Sequence, residues 1–198
     1  MLFKLKIHFR LCSFQVKQKK VKTVIPLRNP KDVLVSYYHF YQLNKFLGCY
    51  DRSWEEFFQL FQKRQLAYGD ILDHIQGYWE NCRNLENVLF VYYEEAQSDI
   101  VGTLKKISTF LGKNLSDQVL HDIAKRVNIK EMKVNSSVNY NDIAEKFLAT
   151  TDSFIRKGGV GGWQTYFNED QSRYVNEHYV KPAQEMGIVL RGKITENI

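Results

Sequence analysis

No acidic residue occurs before Asp32 and no glycine before Gly48. The first absence leaves a run of basic residues without local countercharge. The second excludes a glycine-rich phosphate loop from that part of the chain, because such loops turn several backbone N–H groups toward one point. Cysteine is scarce and odd in number: Cys12, Cys49 and Cys82. They follow no metal-binding spacing, which argues against a disulfide framework or a cysteine metal site and fits reduced thiols in the cytoplasm. No apolar run approaches the roughly 20 residues that a membrane span needs. The opening stretch MLFKLKIHFRLCSF is broken by Lys4, Lys6, His8 and Arg10, so it lacks the uninterrupted apolar core of a secretory signal. These absences predict a cytoplasmic chain with no membrane partner and no bound metal.

What is present suits one folded domain of 198 residues, 44% hydrophobic and 25% charged. The net charge of +6 is unevenly spread, with nine Lys or Arg and no acid in positions 1–31 and a slight acidic excess afterwards. Such asymmetry points to an anionic partner or to an acidic face that is absent from the sequence. Nucleic acid is one such partner, but the basic region includes a predicted strand, so it is not a purely solvated arm.

Periodicity predicts strands alternating with helices. FKLKIH, residues 3–8, alternates apolar and polar, with Lys4, Lys6 and His8 on one face. Val21, Val24, Ile25 and Leu27 form the short apolar run of a buried strand, with Pro26 awkward in it because it removes a ladder hydrogen bond. Asn29 as N-cap, Pro30 at the first helical position and Asp32 in the first turn predict a helix over 30–45. Its apolar face is Val33, Tyr37, Phe40 and Tyr41. Gly48 marks a turn. Ser53 and Glu56 form a capping box before Trp54, Phe57, Phe58 and Phe61. Asp70 caps a helix carrying Ile71, Ile75, Tyr78 and Trp79. NVLFVYY, residues 87–93, reads as a second buried strand, with Glu94 and Glu95 as its polar exit. Helices follow from about Asp99 to a stop at Gly112, and from Ser116 to about Val127. Residues 133–152 read mostly as loop. A last helix starts near Glu169, bends near Pro182 and ends by Gly187. Strands separated by helices predict an α/β protein with a parallel sheet.

Two stretches carry candidate chemistry. In VKTVIPLRNPKDVLVSYYHFY, a strand runs directly into a helix N-terminus, the place where open α/β sheets bind anions, and Arg28 sits at the joint with Ser36 two turns on. In RKGGVGGW, Arg156 and Lys157 precede Gly158, so side chains and backbone N–H groups together suit an anion. Each stretch alone also reads as an ordinary βα unit or a solvated loop. The glycines do not make a Walker loop, since Trp163 and Gln164 follow Gly162 where Lys-Ser or Lys-Thr is required. His8 at a strand end suits a general base near neutral pH and equally an ordinary surface or core histidine.

Taken together, VKTVIPLRNPKDVLVSYYHFY and FIRKGGVGGW resemble the cytosolic sulfotransferase family. NVLFVYYEE is similar to that family's strand ending in Tyr-Glu-Asp, and IKEMKVNSSVNY to its Lys-Glu-Met segment followed by an Asn-rich turn. The likeness runs from about Lys4 to Gly187. It implies a parallel-sheet, three-layer, P-loop-like α/β fold in a single domain over 1–198. It also implies transfer of a sulfonate group from 3′-phosphoadenosine 5′-phosphosulfate, as co-substrate, to a phenol, alcohol or amine. By resemblance, Arg28, Ser36, Arg156, Lys157 and Gly158 hold the 3′-phosphate. Tyr93 meets the adenine edge, the segment from Val127 to Met132, with Val127, Asn128 and Ile129 at its start, lines the base, and Phe154 also contacts the cofactor. His8 falls at the catalytic histidine, and Lys6 supplies a nearby cation. A phosphate charge 4 Å from one such cation gains about 4 kcal/mol at an effective dielectric of 20, before desolvation.

The chain also departs from that pattern. The family's glycine-containing phosphosulfate loop has no counterpart before Gly48, so the sequence reads as an N-terminally truncated member whose fold is incomplete there. Val127, Asn128 and Ile129 replace Thr-Ser-Phe. Gly162 and Gln164 replace the Asp and Lys of Gly-Asp-Trp-Lys. At the family's dimer motif stand Gln164, Asn168, Glu169 and Arg173, which argues against its usual homodimer. Three functional readings follow: a sulfotransferase, a non-catalytic adenosine 3′,5′-bisphosphate-binding remnant, and a basic nucleic-acid-binding module, against which the clustered motifs argue.

Overall fold

The computed structural model describes residues 16–135, 138, 148, 155–156 and 158–190. The expected strand over 3–8 lies outside the described residues, as do Lys6, His8, Phe154 and Lys157. Two strands pair in parallel, β1 (Thr23–Leu27) and β2 (Val88–Tyr92), in a register that places Thr23 opposite Val88 and Leu27 opposite Tyr92. Parallel pairing needs a crossover, and three helices supply it: α1 (Pro30–Leu43), α2 (Trp54–Gln62) and α3 (Ile71–Cys82). After β2 come α4 (Tyr93–Ser98), α5 (Ile100–Leu111), α6 (Asp117–Arg126) and α7 (Ile129–Val134). A 3₁₀ turn (Gly162–Thr165) precedes α8 (Glu169–Val175), a π-helical turn (Asn176–Val180) and α9 (Lys181–Glu185). The architecture is α/β with a parallel sheet, as the alternation of strand and helix patterns predicted.

Capping follows the sequence closely. The Asn29 side chain accepts from the Lys31 N–H, Ser53 and Glu56 complete their reciprocal box, and Gly112 ends α5 in the left-handed conformation at φ 73°. Helix α1 stops at Leu43 rather than Lys45. Asn44 turns extended, and its side chain accepts the N–H groups of Phe46 and Leu47, starting a separate 3₁₀ turn.

Several expectations are corrected. Val21 lies outside β1 and is 49% exposed. Strand β1 is buried on one face, with Ile25 and Leu27 inward and Pro26 exposed, and β2 is half-buried along its whole length. The buried stripe of α1 is Leu34, Val35, Tyr38 and Tyr41, a rotation from the expected face, because the helix packs against aromatics of α2 and of the C-terminal segment. Glu94 is not a polar exit: the chain passes from β2 straight into α4, and Glu94 is 2% exposed. Lys133 and Val134 belong to α7 rather than to a loop. The helical path that starts at Glu169 runs on through a π turn to Glu185, and Pro182 follows directly after that turn, the place where the i→i−4 ladder is already altered.

The main core is aromatic. Tyr38 and Tyr41 of α1 meet Trp54, Phe57, Phe58 and Phe61 of α2, with Val175 and Tyr179 closing the cluster from the C-terminal segment. Rings meet edge-on or tilted, as at Tyr41–Phe57 (5.3 Å between centroids) and Phe61–Tyr179 (4.9 Å), the geometry that aromatic quadrupoles favour. Smaller clusters join Ile25 to Tyr78 and Cys82, and Leu27 to Ile75, Ala183 and Ile188. Sheet, α3 and C-terminal segment are thereby one packed unit.

The Tyr179 hydroxyl donates to Asp70 Oδ2 at 2.7 Å, tying the π turn to the N-cap of α3. Burial first, then this hydrogen bond, raise the phenol well above its usual value near 10. The folded state therefore favours neutral Tyr179 more than the unfolded state does, so this stabilisation is complete below about pH 10 and is lost as pH rises beyond it. Tyr179→Phe is expected to cost about 1 kcal/mol at pH 7 and to weaken the loss of stability above pH 10. Urea denaturation across that range checks both; an unchanged alkaline slope would count against the assignment.

Candidate functional site

The site forms where the two parallel strands end. β1 delivers Arg28 and β2 delivers Tyr93, since Leu27 and Tyr92 are paired residues. The Arg28 guanidinium lies over the Tyr93 ring at 4.1 Å from its centroid, a cation–π contact. Both then reach one glycine. Arg28 Nη2 donates to the Gly159 carbonyl at 3.2 Å, and the Gly159 N–H donates to the Tyr93 hydroxyl at 3.2 Å. Two stretches more than a hundred residues apart in sequence are thus joined at a single residue.

The first turn of α1 fastens the rest of the glycine loop. The Asp32 carboxylate, 3% exposed, accepts the Gly161 N–H at 2.8 Å on Oδ2 and the Trp163 N–H at 3.1 Å on Oδ1. Lys31, 5% exposed, places Nζ 4.1 Å from the Trp163 ring centroid and 2.7 Å from Ser172 Oγ, to which it donates. Behind the joint, the Asn29 backbone N–H donates to Glu94 Oε1 at 2.8 Å. Sequence reasoning missed the tertiary roles of Lys31, Asp32 and Glu94. Asp32 was visible as a helix first-turn acid, but nothing local says that its oxygens are used by a loop far along the chain.

The remaining expected residues fall around this junction. Gly158 has φ +63°, and a Cβ built there would stand 2.9 Å from Ile129 Cδ1, so Ile129 covers the start of the loop. Val127 is the C-terminal cap of α6 and Asn128 the N-cap of α7, its side chain accepting the Lys130 N–H at 2.9 Å. Arg156 is half-buried and Ser36 is exposed on α1. Arg28 Nε is buried and has no hydrogen-bond partner among the described residues. A dry guanidinium nitrogen with an unused donor fits an anionic ligand, since leaving it unmatched is costly. The residues at the altered dimer motif, Gln164, Asn168, Glu169 and Arg173, are exposed; Asn168 caps α8, and Arg173 pairs with Asp170 at 3.1 Å. Among the described residues, no cluster of His, Cys, Asp and Glu could hold a metal ion, and no helix is long and apolar enough to cross a membrane.

A family model described as a sulfotransferase domain matches residues 1–187. Sulfotransferase 1C2 of Oryctolagus cuniculus is 33% identical over 172 residues, covering 86% of this chain and 57% of that protein. Sulfotransferase 1A1 of Bos taurus is 34% identical over 164 residues, covering 82% and 55%. The chain therefore spans little more than half the length of these relatives. Among solved structures, mouse sulfotransferase SULT7A1 complexed with PAP superposes with a TM-score of 0.77 at 34% identity, covering 90% of this chain and 64% of that one. Retinol dehydratase in complex with androsterone and inactive cofactor PAP superposes at 0.76 and 29% identity, covering 87% and 50%.

Gly158 gives a direct test of the loop's geometry. Gly158→Ala is expected to destabilise the chain by about 1–2 kcal/mol, the cost of a left-handed L-residue. The contact with Ile129 adds less, because its Cδ1 is a side-chain tip that can swing away. Adding Ile129→Val should then recover under half of the loss in thermal denaturation. Full recovery would show that packing, rather than the backbone, requires the glycine.

Proposed function

The chain belongs to the sulfotransferase domain family, and from that premise we propose that its strand-end site binds the adenosine 3′,5′-bisphosphate part of 3′-phosphoadenosine 5′-phosphosulfate. In this reading the chain acts as one domain. Arg28, Ser36, Arg156, Lys157 and Gly158 hold the 3′-phosphate, Tyr93 meets the adenine edge, Val127, Asn128 and Ile129 line the base, and Phe154 also contacts the cofactor. The observation that carries it is Arg28: a guanidinium stacked on Tyr93, bonded to the glycine loop and keeping one buried donor without a partner among the described residues. Phosphate oxygens suit such a fork better than a neutral acceptor does, because hydrogen bonds between ionised partners are roughly twice as strong. Two family relatives of similar fold were solved with PAP, which supports the same ligand class here.

The proposed activity is transfer of a sulfonate group to the hydroxyl or amine of a small-molecule acceptor, in a cytoplasmic setting. His8 would take the acceptor's proton, and Lys6 would offset charge developing on the leaving phosphate oxygen. The nucleotide supplies the activated sulfonate; the chain's part is to bind, orient and move that proton.

Adenosine 3′,5′-bisphosphate at millimolar concentration is expected to raise the melting temperature of the purified chain, because a ligand that binds only the folded state stabilises it. Arg28→Ala should remove the shift. A shift that survives Arg28→Ala, or no shift in the unaltered chain, would overturn the proposed site. Transfer of labelled sulfonate to a phenol tests the activity separately, and its loss in His8→Ala with the melting shift intact would assign His8 its role.

A further inference from the structure

We propose that Asp32 is a positioning residue that imposes the shape of the glycine loop and so gives the site its preference for a nucleotide carrying a 3′-phosphate. This rests on the nucleotide-binding reading above and names the residue that tunes it.

Four of the five residues from 158 to 162 are glycine, and Gly158, Gly159 and Gly161 have φ of +63°, +98° and +83°. Such a segment has little shape preference of its own, because glycine samples both signs of φ freely and loses most entropy on ordering. Its conformation must be set from outside. Arg28 and Tyr93 fix it at Gly159. Asp32 accepts two further backbone N–H groups, at Gly161 and Trp163, while Thr165 Oγ1, from within the turn that follows, donates to the Gly162 carbonyl at 3.0 Å.

Asp32 is suited to this task in three respects. Each carboxylate oxygen takes one N–H, so the clamp fixes an orientation as well as a distance. It is 3% exposed, so water does not readily replace either donor. It stands in the first turn of a 14-residue helix, where a negative charge is favoured. Lys31 beside it contacts the Trp163 ring and donates to Ser172 of α8, so the loop's far end is held at a backbone N–H and at a ring from one helical turn. The loop's near end continues into Gly158 and Arg156, the groups assigned to the 3′-phosphate. Releasing the far end would let that arm move and would loosen the 3′-phosphate contacts, leaving contacts to the base and the 5′ side in place.

The test compares two nucleotides that differ only in that group. Dissociation constants for adenosine 3′,5′-bisphosphate and adenosine 5′-monophosphate would be measured by calorimetry on the full chain and on Asp32→Asn, which keeps the side chain's shape but replaces one acceptor oxygen with a donor. The unaltered chain is expected to favour the bisphosphate by about ten-fold or more. Asp32→Asn should lose most of that preference while its affinity for the monophosphate stays within about two-fold. If Asp32→Asn melts below the assay temperature, Asp32→Glu serves instead: it keeps the charge but moves the carboxylate by one methylene, and it should lose the preference too. A preference retained in the variant, or a parallel fall in both affinities, would overturn the positioning role alone. No preference in the unaltered chain would remove the nucleotide reading and this inference with it.

Discussion

One buried hydrogen bond, from the Asn29 backbone N–H to the Glu94 carboxylate, holds together the two places where a strand becomes a helix. Asn29 is already the N-cap of α1, and Glu94 lies in the first turn of α4. Parallel pairing alone brings Leu27 beside Tyr92, but it does not dictate how the chain leaves the sheet at each end. The carboxylate fixes both exits at once. Arg28 and Tyr93 are the neighbours of these two residues, so their stacking follows from the same bond. With Asn29 and Glu94 at 3% and 2% exposure, removing the acceptor would leave a buried N–H unmatched, a cost of about 1–3 kcal/mol.

Beyond that junction, the aromatic core gives the site its rigidity. Tyr38 packs against Trp54, Phe57 and Tyr166, and the Trp54 indole donates to Gln171 at 2.9 Å. His39 is hydrogen-bonded to the Tyr166 hydroxyl at 2.7 Å. Helix α1 is therefore held against the segment after the glycine loop from Lys31 to His39. The loop is bound at one end by charged groups of the first turn and backed further on by rings. A site made mostly of backbone glycine gains its definition from this frame rather than from its own residues.

Local chemistry made much of this legible. Asn29, Ser53, Asp70, Ser116 and Gly112 act as the caps that their types and positions imply. Arg28 stands at the joint where a run of β-branched residues gives way to Asn-Pro. The meeting of that joint with RKGGVGG was legible only through resemblance, because no periodicity links stretches so far apart. What the sequence concealed is tertiary. Periodicity says that α1 has an apolar side, but so many of its residues are aromatic that two adjacent faces compete, and the partner helix decides between them. Glu94 looks solvated because burying a carboxylate is costly, and only the Asn29 N–H explains why it is buried.

Lys31 and Trp163 give the molecule an unintended instrument. An ammonium 4.1 Å from the indole ring centroid, with the Trp163 peptide N–H tied to Asp32, places a fixed charge against a chromophore at the end of the loop. The other two tryptophans are anchored elsewhere, Trp54 to Gln171 and Trp79 to the Met186 carbonyl at 2.8 Å. A displacement of the loop changes the field at Trp163 directly, so the Trp163 contribution to the emission, set against those of Trp54 and Trp79, records the state of the loop without a label.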